Sequence, residues 1–189
     1  MIRNVYDFDK TIYHRDSTVD FIWFCIQRKP SVLLDVIAAA PYFLGVTLGV
    51  LDKTVAKERL FRFLQKMDQT ESLVRVFWDQ NQKDIHQWYL DRKKPEDLVI
   101  SASPDFLVRE ATNRLGISLI ASQVNIDSGQ YTGKNCYGEE KVSRLKKEYP
   151  ETEIKEFYSD SRSDTPLAVL AEKAYLVSGE KLTPFFQDS

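Results

Sequence analysis

After Pro95 the sequence alternates short apolar runs with longer segments of helical pattern, and this alternation narrows the fold more than any other feature. DLVIS (97–101), ISLIASQVN (117–125), EIKEFYSD (153–160) and AYLVS (174–178) read as strands. DFLVREATNRL, EEKVSRLKKEY and PLAVLAEK read as helices, the first closed by Gly116 and the second by Pro150. Ser103-Pro104 reads as an N-cap followed by proline at the first helical position, and DSGQYTGK as a hairpin turn region. Strand and helix in repeated succession build a mostly parallel sheet.

The run from Ile2 to Asp7 reads as one more buried strand, far ahead of the others. Between it and Pro95 every pattern is helical. Ser17 and Asp20 are spaced like a capping box ahead of FIWFCIQRK, Thr54 is placed to cap VAKERLFRFLQKM, and Thr70 precedes a long amphipathic helix that Pro95 ends. The expected fold is therefore α/β, with a Rossmann-like sheet formed by residues 1–13 and 97–189. Residues 14–96 form an all-helical cap inserted after the first strand.

Composition removes several alternatives. In 189 residues, 43% are hydrophobic, enough for a core and too many for a disordered chain. A net charge of −2 gives no footprint for nucleic acid. Two cysteines, Cys25 and Cys136, make no disulfide framework and fit a reducing compartment. MIRNVYDFDK carries acids where a signal peptide needs an apolar stretch, so a cytoplasmic setting is expected. From Ser31 to Leu51 only Asp35 is charged. That stretch reads as two buried or half-buried helices broken near Pro41, with peripheral membrane contact of the cap as the alternative.

Four signals lie at the ends of expected strands, where open α/β sheets bind ligands. Asp7 and Asp9, in Asp7-Phe8-Asp9-Lys10-Thr11, can face one site: one carboxylate attacks phosphorus or binds a metal while the other moves a proton. Ser101 and Ala102 close the next strand, where a hydroxyl and backbone N–H groups can hold an anion. Lys141 starts a helix, against the helix dipole, as a group that neutralises phosphate would. Asp160 and Asp164, four apart after IKEFY, can supply hard oxygen ligands to Mg²⁺. Each signal alone also reads as an acidic turn, a capped junction or a solvated lysine.

In this order the four match D-x-D-x-T, S, K and D-x-x-x-D, and the chain resembles the haloacid dehalogenase-like superfamily of phosphohydrolases. The helical insertion after the first motif resembles the cap of its phosphoserine-phosphatase-like branch. TIYHRDSTVDF, LIASQV, YGEEKV and YSDSRSDTPL look like the group that includes bacterial phosphatidylglycerophosphatase C. The resemblance implies Asp7 as nucleophile, Asp9 as acid and then base, and Ser101 and Lys141 as phosphoryl ligands. It implies Mg²⁺ bound by Asp7, the Asp9 carbonyl and Asp160, with Asp164 orienting metal-bound water or Lys141, and Thr11 bracing the loop near the substrate.

Ser161 and Ser163 stand where phosphoserine phosphatases carry Gly and Asn, and Asp16 replaces a substrate-reading Glu. These departures argue against phosphoserine itself. His14, Arg15 and Asp16 are the candidates to touch the leaving group. The expected activity is hydrolysis of a small phosphorylated metabolite, with a lipid phosphate or phosphotransfer to an alcohol as the alternatives.

Overall fold

A computed structural model describes residues 1–186. Six strands form one sheet: β1 (Ile2–Tyr6), β2 (Leu98–Pro104), β3 (Ser118–Ser122), β4 (Glu153–Ser159), β5 (Ala171–Ser178) and β6 (Lys181–Pro184). Their spatial order is β3-β2-β1-β4-β5-β6, and all neighbours are parallel except the β5–β6 hairpin. Chain order runs outward from β1 on both sides, so a topological switch point lies beside it.

The period-2 pattern of the strands sets two apolar layers. Tyr6, Val99 and Tyr158 face one cluster, while Val5, Leu98, Ile100 and Phe157 face the other. The second layer is closed by α7 (Glu139–Glu148) and α8 (Thr165–Ala168). The first is closed by α6 (Asp105–Leu115) and by inserted helices. These are α1 (Ser17–Arg28), α2 (Val32–Thr47), α3 (Lys53–Phe61), α4 (Thr70–Asn81) and the single turn α5 (Gln87–Leu90). Phe21 and Phe24 of α1 and Phe77 and Trp78 of α4 share the cluster of Tyr6 and Phe8. The Trp78 indole N–H also donates to the Leu107 carbonyl of α6 at 2.8 Å.

This is the expected α/β fold, a mostly parallel sheet with a helical insertion. Several local expectations need correction. The helix at 32–47 runs straight through Pro41. Proline removes the partner of the Ile37 carbonyl, but Ile37 is 60% exposed and water can serve that oxygen. Nor is this helix simply buried: Leu33, Leu34, Ile37, Leu44 and Leu48 are exposed along one stripe.

Asp16, not Ser17, caps α1, accepting from the Val19 N–H, and Asp52, not Thr54, caps α3. The long helix after Thr70 stops at Asn81 and continues as a 3₁₀ turn, because Ile85 must pair with Tyr13 where the chain returns to the sheet. Ser103 does not cap α6, since β2 extends through Pro104. The last helix is only Thr165–Ala168, and β6 has no counterpart in the sequence reading.

The loop at 125–131 grips the insertion. Tyr131 N–H donates to Glu58 at 2.9 Å, and Gln65 donates to the Ser128 carbonyl at 3.1 Å. Gly129 sits between them at φ +75°, where a Cβ would lie 2.4 Å from the Phe61 carbonyl oxygen. Gly129→Ala should cost about 2 kcal/mol through positive φ and this collision. An unchanged urea midpoint would contradict the packing described.

Candidate active site

The site is built where β1 ends. Asp7 continues the strand by one bond, donating its N–H to the Tyr158 carbonyl at 2.8 Å. Strand alternation then turns Phe8 into the apolar cluster and sends Asp7 and Asp9 toward the opposite side. Phe8 is fully buried and meets Trp78 edge to face, with ring centroids 5.7 Å apart. The chain turns back at Lys10, which adopts φ 56°, and Ile12 and Tyr13 donate to the Phe8 carbonyl.

Lys141, in the first turn of α7, reaches this strand end from the far side. It is 2% exposed, and its ammonium lies 2.8 Å from Asp7 Oδ1 and 2.8 Å from Asp164 Oδ2. Asp164 also accepts from the Ser159 hydroxyl at 2.8 Å, while its Oδ1 is buried without a partner. Burial alone would lower the Lys141 pKa, but the two carboxylates outweigh it and hold the ammonium charged. For Asp7 burial prevails over the attraction of Lys141, and its pKa is raised.

Asp9 is held differently. Its Oδ1 accepts the Ser17 N–H at 2.7 Å, one of the unpaired donors at the start of α1, and its Oδ2 accepts the Ser103 hydroxyl. Burial and the nearby Asp16 charge raise its pKa to about 6, against the pull of those hydrogen bonds. Ser101 is buried beside Ser103 and accepts its N–H at 3.1 Å. Asp160 faces the same space, with its pKa raised by burial.

Between the sheet edge and the inserted helices lies a cavity of about 410 Å³. Asp7, Asp9, Ser101, Ala102, Lys141, Asp160 and Asp164 line its floor. Asp16, Val19, Ile22, Phe43, Lys53, Lys57, Leu60 and Phe61 line its helical wall.

The sequence profile of the haloacid dehalogenase-like hydrolases matches residues 5–168, which includes all four motifs. The chain belongs to this family. No curated protein matches the sequence. Among solved structures, a Bordetella pertussis protein of unknown function is 20% identical, with TM-score 0.69 over 92% of this chain and 88% of that one. A probable phosphoserine phosphatase from Vibrio cholerae is 14% identical, with TM-score 0.63 over 92% and 55%. A phosphoserine phosphohydrolase-like protein from Francisella tularensis is 17% identical, with TM-score 0.54 over 92% and 86%. These likenesses extend the hydrolase fold across the inserted helices.

Not every expected contact residue reaches the cavity. Thr11 is fully buried, and its hydroxyl accepts the Asp160 N–H at 3.0 Å, tying the first motif to the fourth. It does not line the cavity. Arg15 turns outward, paired with Asp20 at 2.7 Å and Asp84 at 2.9 Å, and His14 packs on His86. Both leave the cavity because the backbone at 12–14 pairs with the returning segment at 84–86. Asp16 does reach the cavity.

Two contributors were missed in the sequence. Ser103 reads as a helix cap there but holds Asp9. Lys57 lies mid-helix with no motif around it, yet its ammonium crosses to the Ala102 carbonyl at 2.9 Å and Asn135 Oδ1 at 3.0 Å. Burial and the neighbouring Lys53 lower its pKa to about 8.

The donor set on the floor suits a hard divalent cation. It is all oxygen, and Lys141 leaves carboxylates raised in pKa and the buried Asp164 Oδ1 unpartnered.

The ion triad gives a stability test. Lys141→Met strips the cation from Asp7 and Asp164, and the Asp7 pKa rises further. A raised carboxyl pKa costs nothing while both states are protonated, and its penalty grows as pH climbs from the unfolded toward the folded value. The loss in Mg²⁺-free buffer should reach about 3–5 kcal/mol at pH 8 and be smaller at pH 5. Equal losses at the two pH values would contradict the assignment.

Proposed function

We propose that the chain is a Mg²⁺-dependent phosphatase that hydrolyses a phosphate monoester through an aspartyl-phosphate on Asp7. The observation that carries this reading is Asp7 held at the sheet edge by buried Lys141, two residues from a carboxylic acid whose environment favours its proton. The two acids have different surroundings, as two different roles require.

In the first step an Asp7 carboxylate oxygen bonds to phosphorus as the ester P–O bond breaks. Asp9 gives its proton to the departing oxygen. In the second step Asp9, now ionised, takes a proton from water as that water attacks phosphorus. The bond to Asp7 breaks, phosphate leaves, and Asp9 is protonated again. Lys141 and the Ser101 hydroxyl hold phosphoryl oxygens as charge spreads over them. Asp164 keeps the ammonium in place. Asp7, Asp160 and the Asp9 carbonyl would hold Mg²⁺, which supplies further neutralisation of the phosphoryl charge. On this reading residues 1–13 and 97–189 are the catalytic core and 14–96 the cap. Two buried free thiols, Cys25 and Cys136, agree with a cytoplasmic setting.

The cap wall indicates the leaving group. Val19, Ile22, Phe43, Leu60 and Phe61 offer an apolar surface beside Lys53 and Lys57. A small phosphomonoester with an apolar body fits it better than phosphoserine, whose amino acid end is wholly polar. A second reading, a lipid phosphate, is supported by α2, which lends Phe43 to the cavity and an exposed apolar stripe to the surface. No helix among the described residues is long and apolar enough to cross a membrane.

Asp7→Asn should reduce phosphate release at least about 10⁴-fold with the fold intact; turnover near the parent rate would remove Asp7 as nucleophile. Asp9→Asn should cost about 10²–10⁴-fold on alkyl phosphates and much less on p-nitrophenyl phosphate, whose phenolate leaves unprotonated. Asp9 loses its proton above about pH 6 and Asp7 ionises only near pH 7, so kcat/KM for alkyl phosphates should pass through a maximum between these values and decline above about pH 7. A flat profile there would oppose the acid role. Flotation with anionic liposomes, lost in Leu34→Glu/Ile37→Glu, would favour the lipid reading; no flotation favours the soluble one.

A further inference from the structure

The chain has two histidines, and the structure brings both to one place outside the cavity. His14 lies where the chain leaves the sheet for the inserted helices, and His86 where it returns. The two segments are joined by backbone bonds of 2.9 Å, from His14 N–H to the Asp84 carbonyl and from His86 N–H to the Ile12 carbonyl. His14 Nδ1 and His86 Nε2 are 3.2 Å apart. Glu180, in the turn between β5 and β6, meets His86 Nδ1 at 2.6 Å. The ligand atoms offered by these three residues all lie within 4.8 Å of one another.

We infer that His14, His86 and Glu180 form a transition-metal site, of Zn²⁺ type, at the root of the cap. The nitrogen spacing supports it, because two imidazole nitrogens at 2.0–2.1 Å from a tetrahedral Zn²⁺ are about 3.3 Å apart. His86 is 3% exposed and fixed by its backbone bond, so one ring needs no ordering. Glu180 is placed either to hold the His86 Nδ1–H, as carboxylates do behind zinc-bound imidazoles, or to swing onto the ion. His14 and Glu180 are exposed, which leaves water room to complete the shell. The chemistry is distinct from the cavity floor: imidazole selects zinc-like ions, and an all-oxygen set selects Mg²⁺.

The two imidazoles and the carboxylate come from three separated stretches of chain, so an ion held by both rings, with Glu180 on it or behind His86, ties both cap connections to the β5–β6 hairpin. Without an ion the same atoms make a satisfied relay, with His14 Nδ1–H donating to His86 Nε2 and His86 Nδ1–H to Glu180. When the metal takes the Nδ1 position, His14 changes to its Nε2–H tautomer, giving the Nδ1 proton to water and taking one from water at Nε2, so both rings stay neutral. This inference rests on the hinge geometry and stands apart from the phosphatase reading.

The test uses the full chain labelled with ¹⁵N-histidine, in which these are the only imidazole signals. One equivalent of Zn²⁺, added in millimolar Mg²⁺, should shift both ring spectra and raise the melting temperature. Chelator competition should show zinc affinity reduced about tenfold or more in His14→Gln and in Glu180→Gln. Both residues are exposed, so folding survives if His86 variants do not fold. Asp160→Asn should bind zinc here as the parent does. Unmoved imidazole signals, or equal zinc affinity in the parent and both hinge variants, would overturn the site and leave a hydrogen-bonded pair.

Discussion

One buried ammonium organises this molecule. Lys141 lies 2.8 Å from each of two carboxylates that come from the end of β1 and the turn after β4. Three charged groups taken out of water in a −1 arrangement do not repay their own desolvation. The imbalance shows in Asp7, whose pKa stays raised despite the adjacent cation. Replacing all three together by apolar side chains would leave a protein as stable or more so and without this charge arrangement, whereas removing Lys141 alone strands two carboxylates. What the arrangement provides is a carboxylate fixed at a sheet edge, short of positive charge, beside a space that can admit a dianion and a divalent cation together.

The rest of the structure serves to keep that edge still. Phe8, between the two acids, is anchored in an aromatic cluster that spans the sheet and the inserted helices. Asp7 and Asp9 therefore cannot rotate about the strand without pulling an aromatic ring out of the core. Thr11 ties the same loop to Asp160, and Ser17 ties Asp9 to the first cap helix. The cap in turn crosses to the core through Lys57 and the Ala102 carbonyl. Each link joins a residue of the floor to a neighbour from another segment. The geometry of the floor is consequently a property of the whole fold rather than of four local motifs.

That explains which parts were legible in the sequence. The strands and the acidic and lysine motifs were readable because a strand end followed by a turn leaves a local pattern: apolar run, then Asp or Ser. The helices of the insertion were readable by period, but their caps were not, since Asp16 and Ser17 compete for one role and only the partner Asp9 decides between them. The break after Asn81 was hidden because it answers to pairing with Tyr13, sixty-odd positions away. His14 and Arg15 were placed at the substrate by adjacency to the first motif; backbone pairing with 84–86 rotates them outward. Ser103 carried only a capping signal, because its contact with Asp9 joins two strand ends 94 positions apart, and Lys57 carried none, because its role exists only once cap and core meet.

On the proposed phosphatase reading, the division between floor and wall sets where specificity resides. Phosphoryl groups are alike in all monoesters, so the charged floor reads what every substrate shares. The wall reads the remainder, and here its apolar residues outnumber its polar ones, which are Asp16, Thr18, Lys53 and Lys57. Lys57 is already bonded to Ala102 and Asn135, Thr18 meets the Ser103 hydroxyl, and the Lys53 ammonium lies over the Tyr137 ring, which leaves Asp16, whose hydrogen bond stays within the cap, as the polar reader not tied to the core. A substrate with several hydroxyl or carboxylate groups would bury them against Phe43, Leu60 and Phe61 without partners, at about 1–3 kcal/mol each. The same wall rewards methylene groups at about 0.8 kcal/mol apiece. On the proposed function, selection by the cap would thus favour an amphipathic ester through the cost it imposes on polar ones, and the exposed stripe of α2 is the surface through which a lipid-borne ester would reach it.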